Sequence, residues 1–212
     1  RGNKVANHIE LCDGPSIWLD IGCGVGQFLY KILQVDDNYV IGTDISLSAI
    51  KKTNSLLNKH AGNKNYALVN QGKTKLPIKD NSIDYILSAD VMEHVGYENQ
   101  KEIISEMYRV LKLGGKAIIH TPNLNRVILT TIYKRIYFLF KGFSPFNICH
   151  SFPLDHISLT TAAKLTKISR SVGFGAKTIY RNMLKEPGIT RLASGVINLF
   201  FSRAFILVLI KI

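Results

Sequence analysis

The stretch Ser16-Ile-Trp-Leu-Asp-Ile-Gly-Cys-Gly-Val-Gly26 decides the fold. Through Ile21 it is a short apolar run of the kind that forms a buried strand, and Gly22 closes it. Glycines at 22, 24 and 26 then let the backbone turn tightly and approach a ligand closely. From Val25 to Leu33 the pattern is helical, with Phe28, Leu29 and Ile32 on one side. Strand, glycine loop and helix in that order open a parallel α/β sheet.

The same alternation runs outward from this unit. Asn38–Thr43 reads as the second strand, and Ser46–Asn58 as a helix carrying Leu47, Ile50 and Leu57. Tyr66–Asn70 and Asp84–Ser88 read as the third and fourth strands. A helix over roughly Asn99–Leu111 is expected to stop at Gly114-Gly115, before a fifth strand over Lys116–Thr121. The alternation breaks over residues 123–151. A helix over Thr160–Val172 follows, ended by Gly173, and then two strands, Ala176–Arg181 and Ala204–Ile212, read as an antiparallel pair at a sheet edge. Parallel strands joined by right-handed crossovers give a doubly wound sheet. The expected fold class is α/β: a three-layer sandwich around a seven-stranded, mostly parallel, Rossmann-like sheet with an antiparallel edge hairpin. Residues 1–212 are expected to form one domain, with 123–151 as an insertion. Such sheets bind ligands beyond the carboxyl ends of their strands.

Composition excludes several classes. Apolar residues make up 46% and charged residues 20%, enough for a real core. Cys12, Cys23 and Cys149 form no C-x-x-C pair, which argues against a disulfide framework and a cysteine zinc site and fits a reducing, cytoplasmic setting. The first 20 residues lack the apolar core of a signal peptide. The chain opens on Arg1 rather than methionine, so a truncated N-terminus is expected. The apolar stretch Val196–Ile212 falls short of the ~20 residues a spanning helix needs. Its core, Phe205–Ile210, suits a buried strand, the alternative being a peripheral apolar anchor. The net charge of +12 is uneven: residues 1–122 hold 14 Lys/Arg and 13 Asp/Glu, whereas 123–212 hold 13 Lys/Arg and two acids, Asp155 and Glu186. A basic second part attracts anionic partners or serves as a solvated surface.

Asp44 follows the second strand, 22 residues after Gly22. A carboxylate there can accept both hydroxyl protons of a ribose, so loop and acid together indicate a nucleoside cofactor. A dinucleotide loop is spaced G-x-G-x-x-G, which sets a pyrophosphate on the helix N-terminus. Here the spacing is G-x-G-x-G, with Asp20 two positions before the first glycine. A carboxylate at that place repels pyrophosphate and suits a cationic ligand with an amino group, which points to S-adenosylmethionine.

On these residues the chain resembles the class I S-adenosylmethionine-dependent methyltransferases, particularly the branch called methyltransferase type 11. The first motif is Ile17–Gly26. Val40-Ile-Gly-Thr-Asp-Ile45, Leu76-Pro-Ile-Lys-Asp-Asn-Ser-Ile-Asp84, Val91-Met-Glu-His-Val95 and Arg109-Val-Leu-Lys-Leu-Gly-Gly115 follow in the family's order. The resemblance covers about residues 15–122. It implies that Gly22, Gly24 and Gly26 surround the methionine part of the cofactor, that Asp20 orients the loop and that Asp44 binds the ribose, with Ile45 and Ser88 beside the cofactor. The family's Gly-Asp pair before Leu-Pro is replaced by Gln71-Gly72-Lys73-Thr74-Lys75. The adenine contact is therefore expected from backbone or from Gln71.

Asp90, Glu93 and His94 follow the fourth strand, where an acceptor should sit. If a helix begins at Val91, the three share a face. Asp90-x-x-Glu93 reads first as a capping box. Two sharper readings stand beside it. In one, Asp90, Glu93 and His94 hold Mg²⁺ or Zn²⁺, as the weaker resemblance to quinone-pathway O-methyltransferases implies. In the other, His94 is a general base.

In the insertion, Arg126–Phe146 shows helical spacing, with Arg126, Lys134, Arg135 and Lys141 on a cationic side and Val127, Ile128, Leu129, Ile132, Ile136, Leu139 and Phe140 opposite. It reads as a lid packed on the sheet over the pocket, as an interfacial helix on an anionic membrane, or as a nucleic-acid surface. His150, Asp155 and His156 follow. They read as surface or capping residues, or, under a closed lid, His150 or His156 takes a proton from the acceptor. The functional expectation is methyl transfer from S-adenosylmethionine to a small-molecule or lipid-like acceptor. The rivals are an RNA methyltransferase, a non-catalytic cofactor-binding partner subunit and, more distantly, a Rossmann dehydrogenase.

Overall fold

The structure, a computed structural model, describes residues 15–34, 37–60, 65–71, 75–141, 158–180, 202 and 204–212. Seven strands form one sheet: β1 (Ile17–Ile21), β2 (Tyr39–Asp44), β3 (Tyr66–Asn70), β4 (Ile83–Ala89), β5 (Leu111–Pro122), β6 (Phe174–Tyr180) and β7 (Ala204–Lys211). Their order is β3-β2-β1-β4-β5-β7-β6. The first five run parallel to one another, and β7 runs antiparallel to both β5 and β6. This is the doubly wound sheet with an antiparallel edge hairpin that alternation predicts. The last strand lies inside the edge, between β5 and β6, because its apolar run is buried on both faces, with Phe205, Leu207 and Leu209 fully so.

Helices cover both faces. On one, α1 (Gln27–Ile32) and α2 (Leu47–His60) bury Leu29, Ile32, Ile50 and Leu57 against Trp18, Val40 and Leu87 of the sheet. On the other, α3 (Tyr97–Val110) and α5 (Ala162–Val172) bury Ile104, Met107, Val110 and Leu165 against Leu19, Ile86, Ile119 and Phe205. Two stopping signals behave differently. At the end of α5, Gly173 takes φ +113 and caps as expected. However, α3 ends at Val110, before Gly114-Gly115, and those glycines lie inside β5. Backbone hydrogen bonds from Asn81 and Ser82 to the carbonyls of Arg109 and Val110 satisfy that helix end, so no glycine cap is needed.

Gly42 of β2 shows how tightly α1 sits on the sheet. A Cβ there would stand 2.5 Å from Leu29 Cδ1 and 2.9 Å from Leu68 Cδ2. Overpacking of this kind costs about 1–3 kcal/mol. Gly42→Ala is expected to lower the unfolding free energy by that amount in urea, with an unchanged slope. A variant as stable as the parent would show that α1 moves aside freely.

A further helix, α4 (Leu124–Phe140), leaves the carboxyl end of β5. It starts at Leu124, two residues before the sequence pattern begins.

Candidate functional site

The carboxyl ends of the strands open onto a cavity of about 580 Å³. One wall comes from the first loop (Ile21, Gly22, Gly24), the end of β2 (Thr43, Asp44, Ile45) and Gln71 beyond β3. The other comes from the segment after β4 and the start of α3: Asp90, Val91, His94, Val95, Gly96, Asn99 and Ile103. Leu76 closes it. Arg109 and Glu106 of α3 hold that closure: Arg109 donates to the Leu76 carbonyl (3.0 Å) and the Ile78 carbonyl (2.8 Å), and the Leu76 amide donates to Glu106 Oε2 (2.9 Å). The Arg109 guanidinium hydrogen-bonded to Glu106 holds that carboxyl below its ordinary range.

The glycine loop has the conformation its sequence requires. Gly22, Gly24 and Gly26 take φ of +72°, +55° and +81°. A Cβ on Gly22 would stand 2.4 Å from Val91 Cγ2, whereas one on Gly24 would meet no atom within 4 Å on the cavity side of the loop. The main chain at Gly24 is thus bared to the cavity. It is braced from two sides: its amide donates to Asp44 Oδ2 (2.9 Å), and Thr53 Oγ1 donates to its carbonyl (2.8 Å). The other Asp44 oxygen accepts from the Ser46 amide (2.8 Å). Asp44 is therefore fixed in place while still lining the cavity.

The charge here is one-sided. Among the described lining residues, Asp44 and Asp90 are carboxylates and none is Lys or Arg. Behind the loop, Asp20 is buried, and its Oδ2 finds no hydrogen-bond partner among the described residues. Burial first, and then the Asp44 charge, push its carboxyl up to about 8. The same two influences, with Asp20 added, raise the Cys23 thiol to about 12, so this cysteine is an inert thiol. A cavity lining with two carboxylates and, among the described residues, no Lys or Arg favours a cationic ligand. Neither Asp20 nor Ser88, whose Oγ is also buried without a partner, reaches the cavity wall. Gly26 also stands back from the cavity, its missing Cβ leaving room for Thr53.

Beyond β4 the structure departs from the sequence reading. The residues after Asp90 form only a 3₁₀ turn, Met92–His94, whose N-cap is Val91 with no side-chain cap. Asp90 takes φ +56, its amide donates to the His120 carbonyl (2.9 Å), and its Oδ1 meets His120 Nδ1 at 2.9 Å. Asp90 is therefore not a helix cap. Glu93 points inward, is buried, and accepts from Thr121 Oγ1 at 3.0 Å. Burial is the main cause that raises its carboxyl. His94 stays at the cavity wall. A 3₁₀ turn of three residues cannot place positions 90, 93 and 94 on one face, and β5 captures the two carboxylates separately. The Mg²⁺ or Zn²⁺ site of Asp90, Glu93 and His94 is not formed, and among the described residues no group of three His, Cys, Asp or Glu is placed to hold a metal.

Behind this turn, Gln100 Nε2 donates to the Met92 carbonyl (2.9 Å) and to Ser158 Oγ (3.1 Å), and the Ser158 amide donates to the Glu93 carbonyl (3.0 Å). The sequence reading missed this buried brace, as it missed His120, Asn99 and Ile103. None belongs to a local motif, and only the fold brings them to the site. No described side chain of α4 is buried, and none lines the cavity. His150, Asp155 and His156 lie outside the described residues, as do Gly72, Lys73 and Thr74.

The sheet order and the cavity define a doubly wound α/β protein with a ligand site at the carboxyl ends of its strands. Residues 19–119 match the family model described as "Methyltransferase domain". Phosphoethanolamine N-methyltransferase 1 of Zea mays is 30% identical over 161 residues, covering 73% of this chain and 31% of that protein. The tRNA (carboxymethyluridine(34)-5-O)-methyltransferase of Saccharomyces cerevisiae is 31% identical over 106 residues, covering 50% of this chain and 35% of that one. Among solved structures, a SAM dependent methyltransferase from Aquifex aeolicus superposes with a TM-score of 0.65 at 16% identity, over 99% of this chain and 88% of that one. Over residues 19–119 the chain carries a methyltransferase domain, and its fold is that of the solved S-adenosylmethionine-dependent methyltransferase. The chain spans about a third of the length of these two curated relatives.

Proposed function

We propose that the chain transfers a methyl group from S-adenosylmethionine to a small-molecule or lipid-like acceptor. The observation that carries this reading is the pairing of bared main chain at Gly24 with the fixed carboxylate of Asp44 in a cavity whose described lining holds no Lys or Arg. S-adenosylmethionine supplies an activated methyl on a sulfonium. In this reading Asp44 accepts from the ribose hydroxyls, Ile45 covers an adenine face, Gln71 stands at the adenine edge, and the glycine loop supports the methionine part. Asp90 and His94 line the opposite wall, where the acceptor belongs. Holding donor and acceptor in line supplies much of the rate, and a base is needed only for a protonated acceptor.

Cationic donor and carboxylate-lined wall favour an amine or neutral acceptor over a polyanion inserted at the site. That is the argument against the RNA reading, which the tRNA methyltransferase likeness otherwise supports. Calorimetry discriminates the cofactor: S-adenosylhomocysteine should bind and NAD should not. Tighter binding of NAD would overturn the assignment. For the base, His94→Ala is expected to lower kcat by about 10²–10⁴-fold with a hydroxyl or ammonium acceptor. S-adenosylhomocysteine affinity should stay within a few-fold. A variant that turns over like the parent at every pH would remove His94 from the chemistry.

A further inference from the structure

Helix α4 presents to solvent the face that a soluble helix normally buries. None of its described side chains is buried, although it is rich in Ile, Leu, Tyr and Phe. Ile128, Ile132 and Ile136 stand one turn apart and are each about half exposed, Tyr133 and Leu139 are more so, and Phe140 is 88% exposed. At about 100° per residue, these six fall on one continuous arc of roughly half the circumference. Arg135 stands at one edge of the arc and Arg126 at the other. No acidic residue occurs between Leu124 and Lys141.

The charges distinguish among partners. A second copy of the chain would bring two purely cationic helices together in a protein of net charge +12. RNA would match the cations and the rings but would leave the isoleucine stripe in water. An anionic bilayer matches both features. Its acyl layer takes the aliphatic arc, and its headgroup phosphates meet Arg126 and Arg135 at the arc's edges. We infer that α4 is an interfacial helix that seats this chain on an anionic lipid surface. Because α4 leaves the carboxyl end of β5, this seating brings the end of the sheet where the cavity opens toward the bilayer. The inference does not rest on the methyl-transfer reading.

The test is vesicle flotation of the full chain. The vesicles are phosphatidylcholine alone or phosphatidylcholine with roughly 30% phosphatidylglycerol, at low and at raised salt. Flotation is expected with the anionic vesicles only and should weaken with salt. The double variant Ile132→Glu/Ile136→Glu should lose at least about tenfold in partitioning, and the edge-charge variant Arg135→Glu should lose several-fold. Thermal unfolding and S-adenosylhomocysteine affinity should remain near parental values, because Ile132, Arg135 and Ile136 are exposed and lie outside the cavity lining. The inference is overturned if the parent does not float, or if the isoleucine variant floats as well as the parent. It is equally overturned if light scattering shows a dimer that this variant dissolves, or if the helix binds single-stranded RNA in preference to anionic vesicles.

Discussion

Asp44→Ala should lower S-adenosylhomocysteine affinity by about a hundredfold or more in titration calorimetry. Hydrogen bonds to a charged group contribute about 1.5–3 kcal/mol each, and a tenfold change in affinity corresponds to about 1.4 kcal/mol. Two ribose hydroxyls losing one carboxylate reach that magnitude. The same carboxylate also braces the Gly24 amide at 2.9 Å, so part of the loss would come from a loosened loop. Thr53→Val separates the two effects. It removes the 2.8 Å bond to the Gly24 carbonyl without touching the cavity lining, and should weaken binding only a few-fold. If Thr53→Val weakens binding as much as Asp44→Ala, then Asp44 acts through the loop alone. If Asp44→Ala binds like the parent, the ligand does not sit at the end of β2.

Asp20→Asn should stabilise the ligand-free protein, and the gain should grow with pH. The sign follows from the direction of the shift. Burial and Asp44 raise the folded carboxyl from 3.8 to about 8, so between those values the folded state holds a proton that the unfolded state has released. Stability therefore falls as pH rises from about 4 to about 8, by about 1.4 kcal/mol for each unit of difference at this site. Asparagine has no charge to bury and leaves this pH dependence behind. The difference in unfolding free energy between variant and parent should widen by a few kcal/mol from pH 4 to pH 9. Urea titrations at both pH values measure it. A difference independent of pH would mean that the folded carboxyl titrates like a solvated one.

A buried carboxylate with one oxygen unsatisfied among the described residues is a poor choice for stability and persists most readily where a ligand makes use of it. Its place in the motif Asp20-Ile-Gly-Cys-Gly was legible in the sequence. Its depth was not. Neither the raised proton affinity nor the distance from the cavity wall could be read before β1 was flanked by β2 and β4, which bury it.

The acceptor side shows the limit from the other direction. Helical spacing joined Asp90, Glu93 and His94 into one face, but the chain makes only a 3₁₀ turn there. Thr121 and His120, some thirty residues away in sequence, take the two carboxylates. Likewise, the amphipathic pattern of Leu124–Phe140 was visible in sequence, but not which side it turns to solvent. The period of a pattern is a local property, whereas the direction of its apolar side depends on what else packs nearby.

The residues alone determined the strand–helix alternation, the parallel sheet and the two loops at the ends of β1 and β2, because apolar periodicity and glycine conformations act within a few residues of each other. Tertiary structure alone decided that β7 inserts beside β5, that His120 holds Asp90, that Glu93 turns inward and that the apolar side of α4 faces out. Each of these is a meeting of segments far apart in the chain, and only the folded packing sets which groups share a space.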